Sequence, residues 1–423
     1  MDKQRTLAVG IHPISREILF ASTSSSPRFS FLSPLISTMS DETKALDASC
    51  LCGAAQHQIT LSSSEFPLPF WLCHCDSCRR MTGTLALTET NLPTSYQPSQ
   101  ELLAKLTSFQ FSERITDYHC TICGTQILAH CYRDAEYHSK GSSWDAPTGT
   151  FERIDGLFEM KGHEQVADTL DGGFADFLTT YQDEPVDRWP HRPGKGEQIP
   201  LRWERPDRPK ITPKSDDRLH AHCKCGGVEF WIARPSERSR NAPGRSQQWP
   251  DLLIPYHSSQ QGVEGEPWWL MDNGKKFLGG VCACNSCRLD TGMEWMEWAF
   301  IPAMDISLDK EGKVPFNREF GTLKGYNSSE GITRYHCSTC GASVFYFAED
   351  RSYIIDVAAA LLDAPEGARA ESWLEFWCGR LSYREDAVPR AESLTFAVEK
   401  SLKEHGQWKY SNQKKGKDAL VEA

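Results

Sequence analysis

The sequence predicts a mainly β protein made of two tandem zinc-binding domains, and three observations predict it. Fourteen of the 16 cysteines fall into short clusters rather than being scattered. The clusters recur, so the chain reads C-x-C-G, C-x-C-x-x-C, C-x-x-C-G twice in the same order. Between them lie short β-prone runs bounded by Gly, Pro and cysteine knuckles, with few stretches of helical period.

Copy one opens with Cys50-Leu51-Cys52-Gly53. It continues with Cys73-His74-Cys75-Asp76-Ser77-Cys78 and ends with Cys120-Thr121-Ile122-Cys123-Gly124. Copy two has Cys223-Lys224-Cys225-Gly226, Cys282-Ala283-Cys284-Asn285-Ser286-Cys287 and Cys337-Ser338-Thr339-Cys340-Gly341. The flanks repeat as well. Cys78-Arg79 with Thr82-Gly83 matches Cys287-Arg288 with Thr291-Gly292, and Ile115–His119 (ITDYH) matches Ile332–His336 (ITRYH). Gln58–Leu61, Val228–Ile232 and Ser343–Phe347 read as strands, and Ala358–Asp363 as one short helix.

These landmarks divide the chain into a leader (1–44), a first zinc domain (45–183), a linker (184–217), a second zinc domain (218–398) and a basic tail (399–423). The linker stretch carries seven prolines, which suit neither helix interiors nor central strands. Trp189 and Trp203 give it a way to pack along a domain surface. An insertion near 235–267 separates the first two clusters of copy two and reads as a long polar surface loop. The leader is Ser-rich and slightly basic. It reads as a disordered leader, as a mitochondrial transit peptide, or as sequence upstream of a start at Met39. The expected compartment is the cytoplasm, with the mitochondrion as the alternative.

Bulk properties exclude several classes. Hydrophobic residues make up 39% of the 423, enough for ordinary cores. A net charge of −11 opposes binding to a phosphate backbone, so nucleic acid is not the expected partner. No apolar run reaches the length of a membrane-spanning helix. Without a secretory signal, cysteine clusters in a chain this long read as metal ligands before disulfides.

Zinc in structural sites takes four Cys or His ligands in a tetrahedron. Short cysteine pairs followed by Gly form tight knuckles, because Gly accepts positive φ. Cys50, Cys52, Cys120 and Cys123 are therefore expected around one zinc, and Cys223, Cys225, Cys337 and Cys340 around another. The middle clusters, Cys73, Cys75, Cys78 and Cys282, Cys284, Cys287, offer three thiolates each. A three-ligand zinc leaves a position open for water or substrate. Two zinc ions per domain, about four per chain, follow. The competing reading is purely structural, with water, His74 or Cys131 completing the coordination. Position 283 is Ala, so the His74 role has no counterpart in copy two. Cys131 and Cys378 read as small buried residues.

Three thiolates leave the zinc complex with a net charge of about −1, a weak Lewis acid but a good partner for another sulfur. The chemistry expected of the three-cysteine sites is thus thiol binding with carbon–sulfur bond making and breaking. A peptide thiol such as glutathione would need cations for its carboxylates. Arg79, Arg80 and Arg288 are the candidates, against their reading as surface charges.

The order C-x-C-G, C-H-C-x-x-C-R-R-x-T-G, C-x-x-C-G resembles the glutathione-dependent formaldehyde-activating enzyme and centromere protein V family, over about 45–180 and 218–380. Asp168–Gly173, after Gly162-His163, is similar to the family's later segment. The resemblance implies a β-tent fold, a closed four-cysteine zinc, and a three-cysteine zinc where glutathione binds. It also implies a carbon–sulfur lyase forming S-(hydroxymethyl)glutathione from formaldehyde and glutathione. Copy two departs at Ala283 and at Leu289, the counterpart of Arg80. It keeps its ligands but puts its substrate contacts in question. A non-catalytic zinc module for a protein or chromatin partner is the alternative, and a zinc-releasing redox sensor a weaker third.

Overall fold

The computed structural model describes residues 42–133, 141–242, 252 and 267–421. Residues 1–41, Met39 included, and residues 243–251 and 253–266 of the insertion lie outside it.

Each copy is built on one twisted sheet with the same strand order. In copy one the order is Leu106–Ser112, Ile115–Cys120, Gln126–Arg133, Gly141–Pro147, Leu87–Asn91, Leu68–Cys73 and Phe158–Glu164. Every neighbouring pair is antiparallel except the last, where Phe158–Glu164 lies parallel to Leu68–Cys73. Copy two repeats this as Leu323–Ser329, Ile332–Cys337, Ser343–Ala348, Ile354–Ala358, Met296–Pro302 and Lys276–Cys282, with Leu374–Phe376 in the parallel place. A hairpin, Thr43–Ala48 with His57–Ser62, carries the first cysteine pair of copy one. Arg218–His222 with Glu229–Ala233 does so in copy two. Both hairpins alternate buried and exposed residues, as expected of strands with one face on the core.

The two copies lie in one compact unit, Glu42–Ala423, and face each other through matched positions. A Cβ on Gly124 (φ +82°) would strike the His336 ring, and one on Gly341 (φ +76°) would strike His119. Each glycine meets the residue before the partner copy's last knuckle, which is the reciprocity of a two-fold interface realised inside one chain. Gln126 Nε2 donates to the Cys340 carbonyl (2.9 Å), Thr125 Oγ1 to that of Leu289 (2.6 Å), and Lys224 N to that of Arg80 (3.0 Å). Phe174 stacks on Trp295 at 4.6 Å, and one apolar core runs through both copies. Burying an aromatic of this size contributes about 1.5–3 kcal/mol, so the shared core ties the copies together.

Two local expectations are corrected. Ala358–Asp363 is not a helix: Ala358 ends the strand Ile354–Ala358, paired with Trp298, and Ala359–Leu361 forms a single 3-10 turn. Sheet pairing overrides the helix propensity of three alanines there. The C-terminal residues are not a free tail but part of a helix, Arg384–Val421, kinked at Ala391. Its buried Leu394, Val398 and Leu402 recur every four residues, and His405 stands edge-on to Phe177 at 5.1 Å. The Pro-rich stretch lies along copy one. His163 N bonds to the Asp187 carbonyl (2.8 Å) and Val166 N to that of Trp189 (3.1 Å), so it is sewn to copy one.

At the seam, Asp176 takes Arg188 on Oδ1 (2.7 Å) and Arg369 of copy two on Oδ2 (3.1 Å), all three buried. No helix among the described residues is long and apolar enough to cross a membrane.

Candidate metal centres

Four cysteine groups converge, each with its sulfurs within 4.8 Å of one another. They are the four sets the spacing pairs: Cys50, Cys52, Cys120, Cys123; Cys223, Cys225, Cys337, Cys340; Cys73, Cys75, Cys78; and Cys282, Cys284, Cys287.

The four-cysteine groups join a hairpin knuckle to the end of a central strand. In copy one Cys50 and Cys52 stand 3.5 Å apart and Cys52 and Cys120 3.6 Å. In copy two Cys223–Cys225 is 3.6 Å and Cys225–Cys337 is 3.4 Å. Four sulfurs at about 2.3 Å from one zinc would stand about 3.8 Å apart, so these donor sets fit a tetrahedral ion. Backbone N–H groups already point at the sulfurs, Ala55 at Cys50 and Val228 at Cys223, both 3.3 Å. Such donors stabilise thiolates.

The three-cysteine groups sit where a strand runs into a short helix. Cys75 caps Asp76–Thr82, accepting from Cys78 N, and Gly83 closes the helix at φ +83°. Cys284 caps Asn285–Thr291, with Gly292 at φ +82°. One sulfur of each group is half-buried, Cys75 and Cys284, and the other two are buried.

Their surroundings differ sharply. In copy two Cys287 accepts from the Trp298 indole at 3.4 Å and faces both Nη atoms of buried Arg334 at 3.6 Å. Arg334 lies over Tyr346 (5.0 Å) and 3.7 Å from Asp290. By strand register the counterparts in copy one are Glu89 for Trp298, Asp117 for Arg334 and Ala129 for Tyr346. Two bulky donors and an aromatic give way to two carboxylates and a methyl group.

Hydrogen bonds from Cys73 and Cys78 bring Cys75 down to about 3. In copy two it is Cys287 that falls well below the usual range, through Cys282 and Cys284, helped by Arg334 and Trp298. Burial, with Asp145 nearby, pushes Asp117 up to about 8.

The other candidates have other partners. His74 is fully buried and bonds through Nε2 to His163 Nδ1 (2.9 Å), and His163 Nε2 donates to the Leu178 carbonyl (2.7 Å). Burial holds both imidazoles neutral, His163 at about 3. The family-like segment lies over this pair, with Gly173 beside His74. Cys131 donates to Asp145 at 3.2 Å and Cys378 to the Phe376 carbonyl. Arg79, Arg80 and Arg288 are not surface charges. Arg79 is buried against Asp76; Arg80 holds Asp363 (2.5 Å) and the Leu361 carbonyl; Arg288 donates to the carbonyls of Gly149 and Phe151. Arg80 and Arg288 thus bridge the copies. Sequence reasoning missed Arg334 and Trp298, although the contrast of ITDYH with ITRYH carries the first of them.

No curated protein matches the chain. A family model described as glutathione-dependent formaldehyde-activating enzyme matches residues 45–156 and 271–380. The first stretch holds all seven clustered cysteines of copy one. The second begins after Cys223 and Cys225, yet the fold carries that pair to Cys337 and Cys340 across the insertion. Matched over more than half its length and in both halves, the chain is a member of the glutathione-dependent formaldehyde-activating enzyme family.

Proposed function

We propose that the chain is a zinc-dependent carbon–sulfur lyase acting on glutathione, or another thiol, and a small aldehyde adduct, and that copy one carries the chemistry. The observation that supports this reading is the contrast between the two three-cysteine groups. Trp298 and Arg334 cover Cys287, whereas Glu89 and Asp117 occupy those positions in copy one.

Cys73, Cys75 and Cys78 would hold the zinc, which supplies a soft position for an incoming thiolate. The addition breaks an S–H bond and forms a C–S bond, and the proton ends on the aldehyde oxygen, so no oxidant or reductant enters. Lys224 donates to Ser77 Oγ at 2.7 Å and lies 5.1 Å over Phe111, which packs against this cluster. We assign it to a carboxylate of the thiol. Arg80 and Arg288, engaged with the opposite copy, hold the frame. In copy two the same three ligands serve stability, with Arg334 compensating their charge.

The test is exchange of S-(hydroxymethyl)glutathione with formaldehyde and glutathione, followed by NMR alongside zinc content. Cys75→Ser is expected to slow exchange by at least about tenfold, and Cys284→Ser by less than about twofold. Wild-type exchange in Cys75→Ser would refute the assignment. A stoichiometric protein partner with no glutathione binding by calorimetry would favour the non-catalytic reading.

A further inference from the structure

A fifth group of metal-ligating side chains lies outside the cysteine clusters: His220, His222 and Asp363. His220 and His222 alternate along the strand Arg218–His222, so both project from one face. Asp363 follows the 3-10 turn Ala359–Leu361. It is fixed over that face by its own N–H, which donates to the His220 carbonyl at 2.8 Å, and by the bridge between Ala221 and Leu362. Asp363, far from the two histidines in sequence, is therefore held beside them by backbone pairing and not by loop chance.

The hydrogen bonds on the far side of each ring decide what the near side offers. His222 Nδ1 faces the Cys223 carbonyl at 3.0 Å. A carbonyl only accepts, so the proton sits on Nδ1, and Nε2 of the neutral ring is a lone pair. His220 Nε2 faces the Glu229 carboxylate at 2.7 Å, which places its proton there and leaves Nδ1 as the lone pair. These two nitrogens meet the same oxygen, Asp363 Oδ2, at 3.7 and 3.9 Å. Arg80 takes the other oxygen, Oδ1, and so turns Oδ2 toward the rings. Trp231, stacked on His220 at 5.1 Å, holds that ring in place. Three acceptors thus converge, each oriented from behind. Carboxylate–histidine and carbonyl–histidine pairs of this kind orient metal-bound imidazoles. Ligands about 2.1 Å from a tetrahedral ion stand about 3.4 Å apart; both nitrogen–oxygen distances are within about half an ångström of this, and all three ligand atoms lie within 4.8 Å of one another.

We propose that His220, His222 and Asp363 form a site for one divalent transition-metal ion of the zinc class, separate from the cysteine centres. Two imidazoles and a carboxylate suit Zn²⁺ or Co²⁺ rather than the hard cations Mg²⁺ and Ca²⁺. The side chains are 27–48% exposed. Ions therefore enter directly from solvent, and the site exchanges faster than the thiolate centres. Three ligands leave room for water or a small anion. The nearby Arg80 cation weakens the site relative to the cysteine groups.

The experiment is Co²⁺ titration of the full chain after its cysteine sites are loaded. Thiolate-bound cobalt gives intense sulfur-to-metal charge transfer, whereas a His₂Asp site gives only weak ligand-field bands. Wild type is expected to take up one further Co²⁺ per chain with no rise in the charge-transfer band. Zn²⁺ should displace it, and Mg²⁺ should not. Asp363→Asn and the double variant His220→Ala/His222→Ala are each expected to weaken this uptake by at least about tenfold while the charge-transfer band of the loaded protein is unchanged. Should the double variant fail to load its cysteine sites, Asp363→Asn decides alone. No uptake beyond the cysteine sites, uptake unaffected by either change, or rings that only bind protons against Asp363 would each overturn the assignment.

Discussion

The indole N–H of Trp298 is aimed at the sulfur of Cys287, 3.4 Å away. Arg334 approaches the same sulfur, so this cysteine is covered from two sides. In protein that keeps zinc in its four-cysteine groups but has lost it from the three-cysteine groups, Cys75 is therefore expected to react with iodoacetamide well before Cys287. The double change Trp298→Ala/Arg334→Ala should raise the alkylation rate of Cys287 by about tenfold or more, read by mass spectrometry of peptides. Equal rates for the two cysteines in wild type would contradict the covering role.

The four-cysteine groups tie hairpin to sheet in each copy. Cys120→Ser and Cys337→Ser should each lose about one zinc per chain and destabilise the fold by several kcal/mol, since structural zinc contributes folding free energy directly. Metal analysis with denaturant titration checks this. Chelation should unfold or loosen both copies together, because they share one core.

Glu297 of copy two is fully buried and accepts from Leu85 N of copy one at 2.7 Å. Burial pushes its carboxyl up to about 8. A raised carboxyl contributes stability that is complete below its unfolded value, near 4.5, and is lost as pH rises through about 8. Wild type should therefore lose on the order of a few kcal/mol between pH 5 and 9 relative to Glu297→Gln, which keeps the acceptor and drops the charge. Parallel pH profiles of the denaturation midpoint would refute this.

Asp176 answers two arginines, Arg188 of the Pro-rich stretch and Arg369 of copy two, away from solvent. Asp176→Ala removes the carboxylate that Arg188 and Arg369 share, leaving Arg369 to Glu371 (3.4 Å), and should cost about 3–5 kcal/mol, read as a lower denaturation midpoint. Asp176→Asn, which keeps the shape, should recover part of that loss.

Gly124→Ala places a methyl group at positive φ and against the His336 ring. A loss of about 1–3 kcal/mol is expected. If the clash with the ring dominates, Gly124→Ala combined with His336→Ala should recover part of it, as a double-mutant cycle would show.

Cysteine partners were legible because metal knuckles are local: Cys50 and Cys52, or Cys120 and Cys123, announce themselves within four residues. Single strands such as Ser343–Phe347 were legible as short β-prone runs, while their order in the sheet was not, because it is set by pairings distant in sequence. Arginine roles were not legible. Arg80 and Arg288 find carbonyls and a carboxylate more than 130 residues away in the other copy, and sequence distance hides such partners. The C-terminal helix was overlooked because its buried positions are diluted by Lys and Glu on the opposite face. Asp363 reaches His220 and His222 through the bridge of Ala221 to Leu362 and its own N–H to the His220 carbonyl, a tertiary event.

Glycines 124 and 341, each lodged against the histidine of the opposite half, also bear on how the halves diverge. In a dimer of identical subunits every substitution appears at both faces at once, so no face can be altered alone. Joined in one polypeptide, the halves answer to different codons. Asp117 and Arg334 can then part ways while the facing surfaces stay matched.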